Sequence, residues 1–179
     1  MSTQEIAAAM HRVEAILQRR PDVGVQPEAP ATARWEGGTR IVASHANGAQ
    51  IPTEMPTELG GSGNDVHVTP GWLFRAGFAS CAATCIAMGA AAQGIKLASL
   101  EVTATSRSDL RGLLNMKHAD GTRVYAGPRD VELVVRIRAP GVESARLRAM
   151  VEERYRCSPI SSAVASAMPV DLSIVIDGD

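Results

Sequence analysis

Within the first twenty positions apolar side chains recur at Ile6, Met10, Val13, Ile16 and Leu17, close to helical spacing, and the run stops at Pro21. The pattern predicts an amphipathic helix over residues 1–20. Its apolar stripe needs a surface, either the main body of the chain or a second copy of it. Residues 21–30 hold Pro21, Pro27, Pro30 and Gly24 and read as a linker. Thr32 to Glu36 and Thr39 to Ser44 then read as two short strands around Gly37-Gly38, a dipeptide suited to a tight hairpin turn. From Asn47 to Pro70 prolines, glycines and small polar residues dominate, including the run Leu59-Gly60-Gly61-Ser62-Gly63, which predicts a long irregular loop with at most one short strand. Long ordered loops tend to carry function.

The clearest element follows. Thr69 is a capping residue, Pro70 suits the first helical position, and Gly94 suits a left-handed stop, which together predict a helix over residues 70–93. It is apolar enough to raise a membrane span, but Arg75 and the strand-like flanks favour a core helix. Leu100 to Thr105 and Val131 to Ile137 alternate as strands, the second with Val131, Leu133, Val135 and Ile137 on one face. Residues 107–128 between them, with Asp120-Gly121 and Gly127-Pro128, predict turns around at most one further short strand. Val142 to Arg156 has helical spacing, a short helix starts near Pro159, and Val170 to Ile176 predicts a closing strand. Helices and strands segregated in this order indicate an α+β fold rather than a doubly wound parallel sheet.

Composition narrows the function classes. The chain has 179 residues, suited to one domain with an appendage, and a net charge of −1 with 21% charged residues, which announces neither a nucleic-acid nor a membrane-surface partner. Aromatics make up only 3%, so the core must be built from small aliphatic side chains that let elements approach closely. Glu5, His11, Arg12 and Glu14 interrupt the apolar run that a secretory signal needs, and three cysteines without a dense framework point to reduced thiols in a cytoplasm. His11, His45, His67 and His118 are scattered and form no ligand pair with a cysteine, so no metal is expected, and the glycine run lacks the Lys-Ser/Thr ending of a phosphate loop. No cofactor is called for.

The candidate chemistry is therefore that of the thiols. Cys81 lies in the middle of the long helix and Cys85 four residues on, on one face. The run Phe74, Phe78, Cys81, Cys85, Met88 has the spacing of a buried seam, in which cysteine packs as a small hydrophobe; the alternative is a reactive thiol facing a site. Cys157 stands at a junction of two helices, after Arg154 and Arg156, where nearby cations favour a thiolate; an unpaired structural thiol is the alternative.

These residues fall into an ordered set: Trp35-Glu36-Gly37, Gly60-Gly61-Ser62-Gly63 leading to Thr69-Pro70, Leu73, Ala79-Ser80-Cys81, Gly94-Ile95, Cys157-Ser158-Pro159-Ile160-Ser161, and Pro169-Val170. The set resembles the OsmC/Ohr family of peroxiredoxin-like hydroperoxide reductases over roughly residues 31–177, so that residues 31–179 form the OsmC-like domain. The resemblance implies a two-layer α+β fold with a long central helix, an intertwined homodimer, and active sites at the subunit boundary. It also implies thiol-dependent reduction of organic hydroperoxides or hydrogen peroxide: Cys81 becomes a sulfenic acid, Cys157 closes a disulfide, and a dithiol reductant of lipoyl or thioredoxin type reopens it. An activating arginine is required, with Arg40 as the nearest upstream candidate and Arg75 on the helix as the other. Two departures stand out. Pro70-Gly71-Trp72-Leu73 replaces the family's Pro-Glu-Glu-Leu, and alignment on Pro159 puts Ser158 at the usual second-cysteine position. They leave open a catalytically silent or repurposed dimer that binds a small apolar ligand, and a purely structural dimer module.

Overall fold

Ser2 and Glu5 close the N-terminus of the first helix reciprocally. The Glu5 amide donates to Ser2 Oγ (3.2 Å) and the Ser2 amide donates to the Glu5 carboxylate (2.6 Å), which also holds that carboxyl below its usual range. The computed structural model describes residues 2–63, 67–166 and 168–176. Helix α1, Thr3–Arg19, lies against the long central helix, and a 3-10 turn at Pro21–Gly24 opens the linker.

Strands β1 (Ala31–Gly37), β2 (Arg40–His45) and β3 (Gln50–Thr53) form an antiparallel meander. Gly37 ends β1 opposite Arg40, so the two-residue turn is Gly38-Thr39, one position later than the dipeptide expected, and both glycines take positive φ (115° and 54°). The Trp35 indole N–H closes this turn by donating to the Gly38 carbonyl (2.9 Å). β3 is the one short strand that the long loop allowed.

Helix α2 spans Pro70–Ala92. Thr69 Oγ1 accepts from the Trp72 amide (3.1 Å), Pro70 occupies the first turn, and beyond the last turn Gly94 adopts φ 66° while the Ile95 amide reaches back to the Ala90 carbonyl (2.8 Å). Among the described residues it is the one helix long and apolar enough to cross a membrane, yet here it is packed by β4, α1, α4 and α5 as the central helix. Strands β4 (Ser99–Arg107) and β5 (Arg129–Arg138) pair antiparallel, Val102 opposite Val135. Along β4 half-buried and exposed positions alternate strictly, so one face of this sheet is covered and the other is open.

A single turn of helix, α3 (Leu110–Leu113), and an isolated bridge between Lys117 and Arg123 occupy the stretch expected to hold turns. Helices α4 (Ser144–Arg156) and α5 (Pro159–Ala165) follow. Ile86, Ala90, Ile95, Ala139, Leu147 and Met150 form the buried core between α2, α4 and the β4–β5 face, supported by Leu100, Val102, Val135 and Ile137. This is the mixed α+β class expected from the order of elements.

The closing strand expected at Val170 to Ile176 is not formed; residues 168–176 have no regular structure and their apolar side chains are exposed. Alternation supplies a strand's faces but not its partner, and within one chain this segment pairs with no edge. The β1–β3 sheet is similarly unaccompanied. It packs substantially on no helix of its own chain, although a sheet needs a second layer. Total exposed area carries the same message: the chain exposes 13370 Å² at 18.8 kDa, where a compact monomer of that mass exposes about 8300 Å².

Candidate functional site: a thiol cluster at the α2–α5 contact

The innermost stripe of α2 is Phe78, Ala82, Ile86 and Ala90, all essentially buried. Phe74, Cys81, Cys85 and Met88 lie on the adjacent stripe. Phe74 and Met88 are exposed, and the two cysteines are half-buried. The buried-seam reading of the cysteines is thus corrected: Ala82 and Ala90 take the inner face, because their small side chains let other elements come close. Cys81 and Cys85 are left at the margin, where a thiol is packed yet reachable.

Cys81 meets α5. Ser158, fully buried at the junction of α4 and α5, donates its hydroxyl to Cys81 Sγ at 3.3 Å. The same Oγ caps α5 by accepting from the Ser161 amide (3.5 Å), so one side chain fixes both the helix start and its position over the sulfur. Ile160 lies against Gly77 one turn earlier on α2, where an added methyl would sit 3.8 Å from its Cδ1. Burial pushes the Cys85 thiol up, and the neighbouring Cys81 and Cys157 sulfurs push it further, while a hydrogen bond with Ser158 opposes them.

Cys157 itself is exposed, at the C-terminal cap of α4. Of the two adjacent residues it is Ser158, at the position that alignment on Pro159 matched to the second cysteine, that touches Cys81. Arg40 is engaged elsewhere. Its Nε pairs with Glu36 (2.8 Å) and its Nη1 contacts His67 Nε2 (2.6 Å), on the β1–β3 sheet rather than beside Cys81. An arginine can only donate, so Nε2 accepts and the His67 proton sits on Nδ1, a buried atom with no partner among the described residues. Near this group Glu54, 8% exposed, accepts from the Ser62 amide (2.9 Å) and hydroxyl (2.8 Å). These bonds hold its carboxyl below the usual range, with the Arg40 cation adding to the effect. Arg75, the other candidate cation, reaches from α2 to Ser106 on β4 (3.4 Å).

Sequence reasoning singled out Cys81 and flagged Ser158, which the structure brings together, but the Arg40–His67 contact and the Glu54–Ser62 pair had no local signature. They join residues 27 and 8 positions apart across an irregular loop. No grouping of three or more metal-ligating side chains exists among the described residues.

With this α+β fold, long central helix and half-buried helix cysteine in view, the family model described as "OsmC-like protein" matches residues 61–173. The chain belongs to the OsmC-like family. It is similar to the organic hydroperoxide resistance protein of Xanthomonas axonopodis pv. citri (strain 306), 30% identical over 147 residues that cover 82% of this chain and 91% of that protein. Among solved structures it resembles an OsmC-like protein from Mycoplasma pneumoniae (TM-score 0.64, 17% identity, covering 80% of this chain and 91% of the other). It also resembles an organic hydroperoxide resistance protein from Elizabethkingia anophelis (TM-score 0.57, 23% identity, 80% and 91%). These likenesses support a stress-defence role of the OsmC/Ohr kind.

Proposed function

We propose that the chain is a cytoplasmic, cysteine-based reductase of organic hydroperoxides or hydrogen peroxide, with Cys81 as the attacking thiol. The observation that carries the reading is the half-buried Cys81 sulfur receiving the Ser158 hydroxyl, in a chain whose relatives are hydroperoxide resistance proteins. The Cys81 thiolate attacks one peroxide oxygen, the O–O bond breaks, the other oxygen leaves with a proton as alcohol or water, and the sulfur becomes a sulfenic acid. A donor already aimed at the sulfur holds it in place for attack. Cys157, one position before the family's usual second-cysteine place, is the second thiol in this reading, and its exposure suits it to meet a lipoyl or thioredoxin-type dithiol.

The reading includes a homodimer. Roughly 5000 Å² of area beyond that of a compact monomer, the unaccompanied β1–β3 sheet, and the unpaired apolar residues 168–176 together call for a second copy. In this reading the partner's β1–β3 sheet covers α2 and its Arg40 serves as the cation that favours the Cys81 thiolate. The test is consumption of tert-butyl hydroperoxide with dihydrolipoamide or a thioredoxin-type reductant. Turnover is expected for the native chain and not for Cys81→Ser; equal turnover in both overturns the assignment.

A second reading is a silent dimer that binds a small apolar ligand. It is favoured by a groove of about 760 Å³ between α1 and α2, lined by Met10, Val13, Leu17, Met88 and Ala92. Rapid alkylation of Cys81 by iodoacetamide at neutral pH would count against it.

A further inference from the structure

Cys85 is unused by the mechanism so far, although it is the thiol nearest in sequence to Cys81 on its own helix face. Residues i and i+4 of an α-helix carry Cβ atoms about 5–6 Å apart, and helical geometry puts their Cα atoms about 6.2 Å apart. A disulfide tolerates Cα separations of about 4.4–6.8 Å and wants Cβ atoms near 3.8 Å. Closure therefore requires an approach of about 1.5–2 Å by local distortion of the helix, and two of the three intervening residues, Ala82 and Ala83, are small. Ser158 holds the Cys81 sulfur on this face by donating its hydroxyl to it, and Cys81 is close enough to Cys85 to push its thiol up.

Cys157 is placed less directly. It is exposed while its neighbour Ser158 is fully buried, so the chain turns one side chain outward and the next inward at this junction. Swinging Cys157 in to Cys81 would pull the Ser158 hydroxyl off both the sulfur and the Ser161 amide, uncapping α5.

We propose that Cys85 captures the oxidised Cys81, closing the first disulfide within α2, and that exposed Cys157 then exchanges with that disulfide at the surface. The step rests on the hydroperoxide reading above. It balances as follows: the Cys85 sulfur, having lost its proton, attacks the Cys81 sulfenic sulfur; the S–OH bond breaks; hydroxide takes that proton and leaves as water. Cys157 thiolate next attacks the Cys85 sulfur, freeing Cys81 and presenting a Cys85–Cys157 disulfide to the external dithiol. Because burial and the neighbouring sulfurs hold the Cys85 proton on, the first closure accelerates as pH rises.

Treatment of the full-length Cys157→Ser variant with one equivalent of tert-butyl hydroperoxide tests the step, read by thiol titration and by mass of the tryptic peptide Ala76–Lys96, which holds both helix cysteines. Loss of two thiols, with that peptide lighter by two hydrogens, is the expected result. In Cys85→Ala and Cys85→Ser, with Cys157 present, the Cys81 sulfenic acid should persist at least about tenfold longer and be trapped by dimedone. A Cys81–Cys157 cross-link formed at the native rate in those variants overturns the inference, as does a free Cys85 beside dimedone-labelled Cys81 in Cys157→Ser; both leave the hydroperoxide reading standing. Cys81 left unoxidised in every variant overturns the hydroperoxide reading, and the inference with it.

Discussion

Ser158 Oγ and Cys81 Sγ, 77 positions apart in sequence, sit 3.3 Å apart with the hydroxyl as donor. A hydrogen bond to a charged partner contributes about 1.5–3 kcal/mol, so Ser158→Ala should lower kcat/KM for hydroperoxide about tenfold or more. Its lost cap on α5 should cost about 1 kcal/mol of stability. A thiol at the same place has a different outcome. Ser158→Cys should close a disulfide with Cys81 after one equivalent of peroxide even in a background lacking Cys85 and Cys157, as seen by mass.

Arg40 gives a test of the proposed subunit boundary. Arg40→Met should reduce turnover roughly 100-fold, the scale seen when a donor aimed at developing charge is lost. If Arg40 serves the partner's sulfur, co-produced Arg40→Met and Cys81→Ser chains should regain activity in mixed dimers, since one site then holds both residues. No recovery over either parent would place the two residues in one chain's site, or exclude Arg40.

Glu54 predicts an acid dependence. Its folded carboxyl is held below the ordinary range by the Ser62 bonds, so its contribution is complete above about pH 4.3 and fades as the pH falls from there through the lowered folded value. Glu54→Gln should lower Tm at pH 7 and flatten the acid side of the Tm-against-pH curve. A curve parallel to that of the native protein would remove Glu54 from the account.

Gly61 lacks room for any side chain. A Cβ there would run into the Met55 carbonyl, which is backbone and does not yield. Gly61→Ala should destabilise by about 1–3 kcal/mol and loosen the Glu54–Ser62 contact, visible as faster amide exchange at Ser62. Gly38, whose missing Cβ faces open space, should tolerate Asn with little change.

What the sequence made legible was local. Thr69, Pro70 and Gly94 mark the ends of α2 because caps are chemistry between near neighbours, and Gly37-Gly38 marks its hairpin for the same reason. Fold class followed from the order of elements, and the family from an ordered set of motifs. Periodicity gave the cysteines a face of α2 but not its depth: of two adjacent stripes, packing partners alone decide which is innermost, and here they chose Ala82 and Ala90. The expected strand at Val170 to Ile176 fails within one chain because alternation carries no information about an edge to pair with. The Arg40–His67 contact was invisible because it is made by the route of an irregular loop.

The unaccompanied β1–β3 meander has a consequence for how the protein comes into being. A three-stranded sheet that no helix of its own chain covers gains little by forming alone, so in the proposed dimer this segment should become firm only after two chains meet. Its folding would then be second order, and the melting temperature should climb with protein concentration by mass action. On dilution β1–β3 should lose amide protection first, while the α2–α4 core still holds. Hydroperoxide defence would in that case switch on with the abundance of the chain itself, since newly made copies at low concentration would carry Cys81 without a partner's arginine.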